Sequence, residues 1–189
     1  MTYKNALAGL PLGGGKSIIF APEKMIDREA LFRAHGRFVE TLGGSYITAE
    51  DVATTTTDMG YVSLETKHVV GLEGRSGDPS PVTAHGVFRA ILASAKYRWG
   101  ADGVEGRTVA IQGCGSVGSH LAKELHQAGA KLIVTDVDRE RVRNVIRECN
   151  AEGVAPEDIY DVRADIFAPC ALGGGDSEAF CEAARLDCY

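Results

Sequence analysis

Val109-Ala110-Ile111-Gln112-Gly113-Cys114-Gly115-Ser116-Val117-Gly118 is the stretch whose reading decides the fold. A mainly apolar strand, Thr108–Gln112, runs into G-x-G-x-x-G. In that pattern Gly113 allows a tight turn, Gly115 lets a backbone approach a pyrophosphate, and Gly118 lets the next helix pack on the strand. The helix expected over about 117–128 offers free N–H groups and a positive dipole end to phosphates. The glycine pattern alone is weak, and its context completes it. Gly129 ends the helix, Lys131–Thr135 reads as a second strand, and Asp136 stands at its end, 23 residues beyond Gly113. Arg107 to Asp136 is therefore expected to be a βαβ dinucleotide-binding unit. A carboxylate at 136 can accept from both ribose hydroxyls and repels a 2′-phosphate. This favours NAD over NADP, although Arg139 and Arg141 lie near.

Outward from this unit, a helix is expected over about 138–149 and a strand over Asp165–Ala168. Upstream, Gly100–Gly106 is a linker. Ser80-Pro81 is a good N-cap and N1 pair for a long helix ending near Trp99. Residues 71–81 read as a loop. Nearer the start, Ser17–Phe20 and Ser45–Ala49 read as strands. Asp27 can cap a helix over 28–42 that Gly43-Gly44 stop, and Asp58 a short helix to about His68. Alternating strands and helices argue for an α/β fold with a parallel sheet. The expected architecture is a partial, mixed α/β substrate domain over 1–80. An incomplete Rossmann doubly wound parallel sheet follows over 81–189, with an atypical tail from about 174.

Bulk properties narrow the function classes. Hydrophobic residues are 44% and charged residues 24% of 189, an ordinary globular balance. The net charge of −6 disfavours nucleic-acid and anionic-membrane partners. No apolar run reaches the ~18 residues of a membrane span. Five cysteines without C-x-x-C spacing argue against a disulfide framework or structural zinc, so reduced thiols in the cytoplasm are expected. The five histidines show no metal-ligand spacing.

Leu10-Pro11-Leu12-Gly13-Gly14-Gly15-Lys16-Ser17 resembles a phosphate-binding P-loop, but the spacing fails. G-x-x-x-x-G-K-[ST] requires glycine where Leu10 stands. A better reading joins Lys4, Lys16 and Asp51. Two lysines held close, and buried against Leu10 and Leu12, depress each other's pKa, and a lysine near about 7–8 is a usable general base. Three glycines leave the backbone before Lys16 open to a substrate. Asp51, at a strand end, can exchange protons with a substrate amine. A surface lysine and a capping aspartate fit the same spacing.

Several stretches resemble the Glu/Leu/Phe/Val dehydrogenase family: Met1-Thr2-Tyr3-Lys4-Asn5-Ala6 with Gly13–Lys16, Tyr46–Val52, Ser76–Ala84 and Asp165–Gly173. Within the family the likeness is greatest to the leucine dehydrogenases, carried by Tyr46–Asp51 and Val134-Thr135-Asp136. The resemblance implies oxidative deamination: an L-amino acid, NAD and water give a 2-oxo acid, ammonia and NADH. It implies that Lys4 grips the substrate carboxylate, Lys16 activates water and Asp51 shuttles protons to and from nitrogen. Ala49 would line the side-chain pocket. Thr83, and on the other side Ala171, Leu172 and Gly173, would border the nicotinamide. Cofactor contacts would come from Gly113, Cys114, Gly115, Ser116, Val117, Gly118 and Asp136. The partners implied are an L-amino acid or 2-oxo acid and, for the full-length parent, further copies of itself.

Against the family pattern this chain is expected to be cut at both ends. A fragment with little or no activity follows from that expectation. The alternatives are a non-catalytic nucleotide-binding or interaction module and, behind it, a P-loop hydrolase.

Overall fold

Val109, Ala110 and Ile111 carry the apolar character that places β1 (Thr108–Gln112) inside a sheet, and all three are buried. A computed structural model describes residues 1–20, 27–74 and 77–172. The chain forms two compact units, Met1–Pro79 and Ser80–Tyr189.

In the second unit β1 pairs in parallel with β2 (Lys131–Thr135) on one side and β4 (Ile166–Pro169) on the other. A two-residue β3 (Glu152–Gly153) extends β2, giving the order β3-β2-β1-β4. The path runs outward from β1 to β3 and then returns across β1 to β4. The order therefore reverses between β1 and β4, the switch point at which open parallel sheets hold ligands. A long helix, α4 (Ser80–Trp99), precedes the sheet; α5 (Ser116–Gln127) links β1 to β2, and α6 (Arg139–Cys149) links β2 to β3.

Helix α5 buries Gly118, Leu121, Ala122 and Leu125, recurring at helical spacing. Leu121, Ala122 and Leu125 join Ile111, Val134, Ile91 and Ala95 in one core. Burying each large aliphatic side chain contributes roughly 1.5–3 kcal/mol. Asp138 caps α6 by accepting from Glu140 and Arg141 N–H, and Asn150 ends it in the left-handed region at φ 49°.

The expected second-unit elements are present with shifts of a residue or so. Ser80 is the first residue of α4 rather than its cap. Asp165 lies outside β4 and instead accepts from the Thr108 N–H at 2.9 Å. Strand β3 and a 3-10 helix over Pro156–Tyr160 were not anticipated. Two residues are too few to show a periodicity.

The first unit contains α1 (Thr2–Leu7), α2 (Arg28–Thr41) and α3 (Thr56–Ser63). Asp27 caps α2 as expected, accepting from Ala30 N–H. Four expectations fail. Helix α3 ends at Ser63 rather than near His68. Ser17–Phe20 is not a strand: it has no ladder, and Ile18 and Phe20 are exposed. Ser45–Ala49 keeps one parallel bridge, Thr48 to Val69, rather than a strand. A strand is held by its partner, so extended propensity alone is insufficient. Asp58 is not the cap of α3. Thr55 is, and Asp58 occupies N3 of a capping box.

Candidate functional site

In the first unit the site grows from the glycine run. The Asn5 side chain donates to Gly13 O at 2.7 Å, and Gly14 N–H donates to Thr2 Oγ1 at 3.0 Å. These bonds dock α1 on the loop. A Cβ at Gly14 would lie 2.6 Å from Thr2 N, so the approach requires glycine. The Tyr46 ring lies under Gly15, and its hydroxyl reaches Ser17 Oγ at 3.1 Å. Lys16 is thereby presented to Asp51, and its Nζ donates to Asp51 Oδ2. Met1, Thr2, Gly14, Gly15 and Lys16 line an open cavity of about 300 Å³ beside this pair.

Asp51 sits in a closed turn. Its N–H donates to Thr54 Oγ1 and its carbonyl accepts from the same hydroxyl, both at 2.8 Å, while Oδ1 accepts from Val52 N–H at 2.9 Å. Ala53 inside the turn has φ 61°, an uncommon conformation for a residue with a side chain. Glu50, one residue earlier, is half-buried with Oε2 unpartnered. Burial, and then the charges of Asp78 and Asp58, raise its pKa.

In the second unit the site lies at the sheet's switch point. Gly113 leaves β1 at φ 102°, and a Cβ there would stand 2.7 Å from Ala171 N. The glycine loop and the end of β4 therefore touch through backbone. A Cβ at Gly118 would overlap the Gly113 carbonyl. Among the described residues a Cβ at Gly115 would meet only Arg141 Nη1, at 3.6 Å, so its face is open. It is also the N-cap of α5 and supplies no side-chain acceptor, which leaves the helix's first N–H groups for an anion.

Asp136 is half-buried, and its Oδ2 accepts from Cys114 N–H at 2.6 Å, its Oδ1 from Asp138 N–H at 2.8 Å. Each oxygen keeps a further lone pair for a ribose hydroxyl. A cavity of about 600 Å³ opens beside it, walled by Val142, Ile146, Val154 and Pro156, with Arg139 and Arg143 at its edge. A nucleotide fits this donor set: an open glycine face, a helix end and a carboxylate beside an apolar slot. Cys114 is buried. Burial, with the Asp136 carboxylate adding, pushes its thiol up to about 12, which keeps it a neutral filler.

The structure thus joins Lys16 to Asp51, and Gly113, Cys114, Gly118, Asp136 and Ala171 to one another. Lys4 is exposed on α1, and Ala49 is exposed beside Glu50. Thr83 is exposed in the first turn of α4; Ser116 is exposed at the start of α5, with Val117 half-buried behind it. Leu172 is exposed, and Gly173 lies outside the described residues. The burial invoked for Lys16 is absent: Lys16 is itself 58% exposed, and Leu10 and Leu12 are half exposed. The sequence reading missed Arg28, whose guanidinium grips Asp58. It also missed Thr54 and Glu50. The signal available was Thr55-x-x-Asp58, a capping-box pattern that marks Asp58 as structural. No group of three metal-ligating side chains occurs among the described residues.

Fold and site together define an α/β protein with a nucleotide-type loop at the switch point of a parallel sheet. Family models agree: Glu/Leu/Phe/Val dehydrogenase, dimerisation domain, matches residues 1–68, and Glutamate/Leucine/Phenylalanine/Valine dehydrogenase matches residues 74–140. The chain belongs to this family. The leucine dehydrogenase of Geobacillus stearothermophilus is 54% identical over 92% of this chain and 48% of the relative. The crystal structure of L-tryptophan dehydrogenase from Nostoc punctiforme is 44% identical with TM-score 0.68, over 92% of this chain and 48% of that one. A hetero-hexameric glutamate dehydrogenase from Thermus thermophilus (Leu-bound form) shares the fold at TM-score 0.68 and 21% identity, over 98% of this chain and 51% of that one. The chain spans about half the length of the curated relatives it matches.

Proposed function

We propose that this chain carries the catalytic lysine–aspartate pair and the dinucleotide loop of the NAD site of an L-amino-acid dehydrogenase. Residues 1–80 would be its substrate domain and 81–189 its NAD-binding domain. The observation that carries the reading is the contact between Lys16 Nζ and the Asp51 carboxylate beside an open glycine run. An ammonium and a carboxylate in contact can hold a water or an amine and move a proton between them. Lys4 binds the substrate carboxylate, Lys16 activates the water that attacks the substrate imine carbon, and Asp51 carries protons to and from nitrogen. Ala49 leaves room for an aliphatic side chain, with leucine or another branched-chain residue as the substrate.

Bound NAD supplies the hydride acceptor. Gly115 and the first N–H groups of α5 face its pyrophosphate, with Ser116 and Val117 in that turn. Gly113, Cys114 and Gly118 shape the loop, Asp136 takes the ribose hydroxyls, and Thr83, Ala171 and Leu172 border the nicotinamide. The proximity of Asp136 favours NAD over the 2′-phosphorylated cofactor. Homo-oligomerisation and a cytoplasmic setting complete the reading.

The test is NADH formation from L-leucine, L-valine, L-phenylalanine and L-glutamate, alongside NADH binding by calorimetry. Turnover that is fastest on leucine or valine, however slow in this chain, and lost in Lys16→Met and in Asp51→Asn, is the expected result. NADH binding without turnover of any amino acid would replace this reading by that of a nucleotide-binding module.

A further inference from the structure

The Asp51 turn is held from a distance. Arg28, the first residue of α2, donates through Nε to Asp58 Oδ1 at 2.6 Å and through Nη2 to Asp58 Oδ2 at 2.7 Å. The same Nη2 donates to Ala53 O at 2.9 Å. Asp58 is 1% exposed, and its Oδ2 also accepts from Thr55 N–H and Thr55 Oγ1 at 2.7 and 2.8 Å. The Phe32 ring supports the guanidinium, 5.1 Å from its centroid. One planar, bidentate cation thus joins a buried carboxylate to the carbonyl of the one residue in the turn with positive φ. A conformation of that kind persists only where its surroundings over-determine it.

We infer that Arg28 is a positioning residue for Asp51: its guanidinium, anchored on Asp58, fixes the Ala53 carbonyl and so the turn that presents the Asp51 carboxylate to Lys16. The kinetic consequence rests on the function proposed above; the structural one does not. Lysine at position 28 keeps the charge on Asp58 but cannot span both acceptors with a rigid fork.

The test compares Arg28→Lys and Arg28→Met with Arg33→Met. Arg33 also leaves α2 to reach an acid beyond α3, Glu65 at 2.7 Å, with the same 42% side-chain exposure, but does not touch the turn. Amide exchange is read first, on the chain alone. The Asp51, Val52 and Thr54 amides bond only within the turn. They should exchange about tenfold faster in both Arg28 variants and at the unaltered rate in Arg33→Met, while Val39 and Val62 stay protected in all three. In the amino-acid-dependent NADH assay, kcat should fall by up to about 10²-fold with KM little changed, Arg28→Lys should not rescue it, and Arg33→Met should keep the full rate.

Unaltered exchange at 51–54 in Arg28→Met overturns the inference. So does acceleration spread equally over α2 and α3, or a kcat loss in Arg33→Met as large as in Arg28→Met. If the unsubstituted protein turns over no amino acid, the proposed function fails while the exchange result still decides whether Arg28 holds the turn.

Discussion

Residues 80–172 gather Val109, Ile111, Leu121, Leu125, Val134 and their neighbours into one large apolar cluster, whereas residues 1–79 gather a smaller one of Phe32, Met59, Val62 and Val69, with Ile19, Tyr61 and Leu72 packed against it, among the described residues. The first of these cores follows from parallel pairing, which buries a sheet on both faces and demands continuous apolar strands. The second unit's loop is accordingly fixed by shape: backbone meets backbone at Gly113, Gly118 and Ala171. The first unit's turn is fixed by charge, through Arg28, Asp58, Lys16 and Asp51. The nucleotide site proposed above, built by shape, should fail through added atoms. The proton-transfer site proposed above, built by charge, should fail through pH and through loss of single polar groups.

The largest effect expected is that of Gly118→Ala. The added methyl overlaps the Gly113 carbonyl, and the helix can retreat only by opening the β1–α5 contact. A loss of about 3 kcal/mol or more in urea unfolding of the second unit is expected, with NADH binding abolished. Gly60→Ala in α3 is the contrast. Nothing lies within 4 Å of the new Cβ, so the first unit should gain up to about 1 kcal/mol. Equal costs at the two sites would erase the distinction drawn between the units.

Asp58→Asn comes next and tests the charge-held unit. Burial opposes ionisation of Asp58, but hydrogen bonds from Arg28 and Thr55 outweigh it, and the carboxyl titrates below its usual range. The folded pKa is the lower one. Its stabilisation is therefore complete above the unfolded value of about 3.9 and is lost as pH falls through the folded value. Asp58→Asn should cost about 2 kcal/mol at pH 7, a figure moderated by the 42% exposure of Arg28. The difference from the unsubstituted chain should shrink as unfolding is followed downward from about pH 4. A constant difference across that range would mean that Asp58 acts by packing alone.

The same contrast explains what could be read from the sequence. Local rules placed β1, α5, β2 and α6 to within a residue, because the strands carry apolar runs, the glycine pattern Gly113–Gly118 opens α5 and Gly129 follows it. Asp136 was legible because chain distance from Gly113 measures one βαβ unit. Ser17–Phe20 was misread because strand character without a partner decides nothing, and Phe20 is 92% exposed. Lys16 and Asp51 were named, but their contact spans 35 residues and was not expressed in any spacing. Arg28 was invisible for the same reason. It looks like any first-turn helix residue until α3 brings Asp58 beneath it.

Glu50→Gln should have the smallest effect and the opposite sign. The Glu50 carboxyl is raised by burial and by the charges of Asp78 and Asp58, and Oε2 has no partner. Here the folded pKa is the higher one, so the fold favours the neutral acid. That contribution is present below the unfolded value of about 4.3 and is lost as pH rises through the folded value. At pH 7 the charge is held in a half-buried place without compensation, close to two other carboxylates. Glutamine keeps the shape and removes the charge. The variant should therefore melt at a higher temperature than the unsubstituted chain at pH 7, and the advantage should vanish near about pH 3, where both side chains are neutral. An advantage that persists in acid would show that the amide has found a bond the acid lacks. If Glu50→Gln instead melts lower at pH 7, the Glu50 carboxylate is compensated in solution. The first unit would then hold a further charge tie, beside those of Arg28 with Asp58 and Lys16 with Asp51, immediately before Asp51.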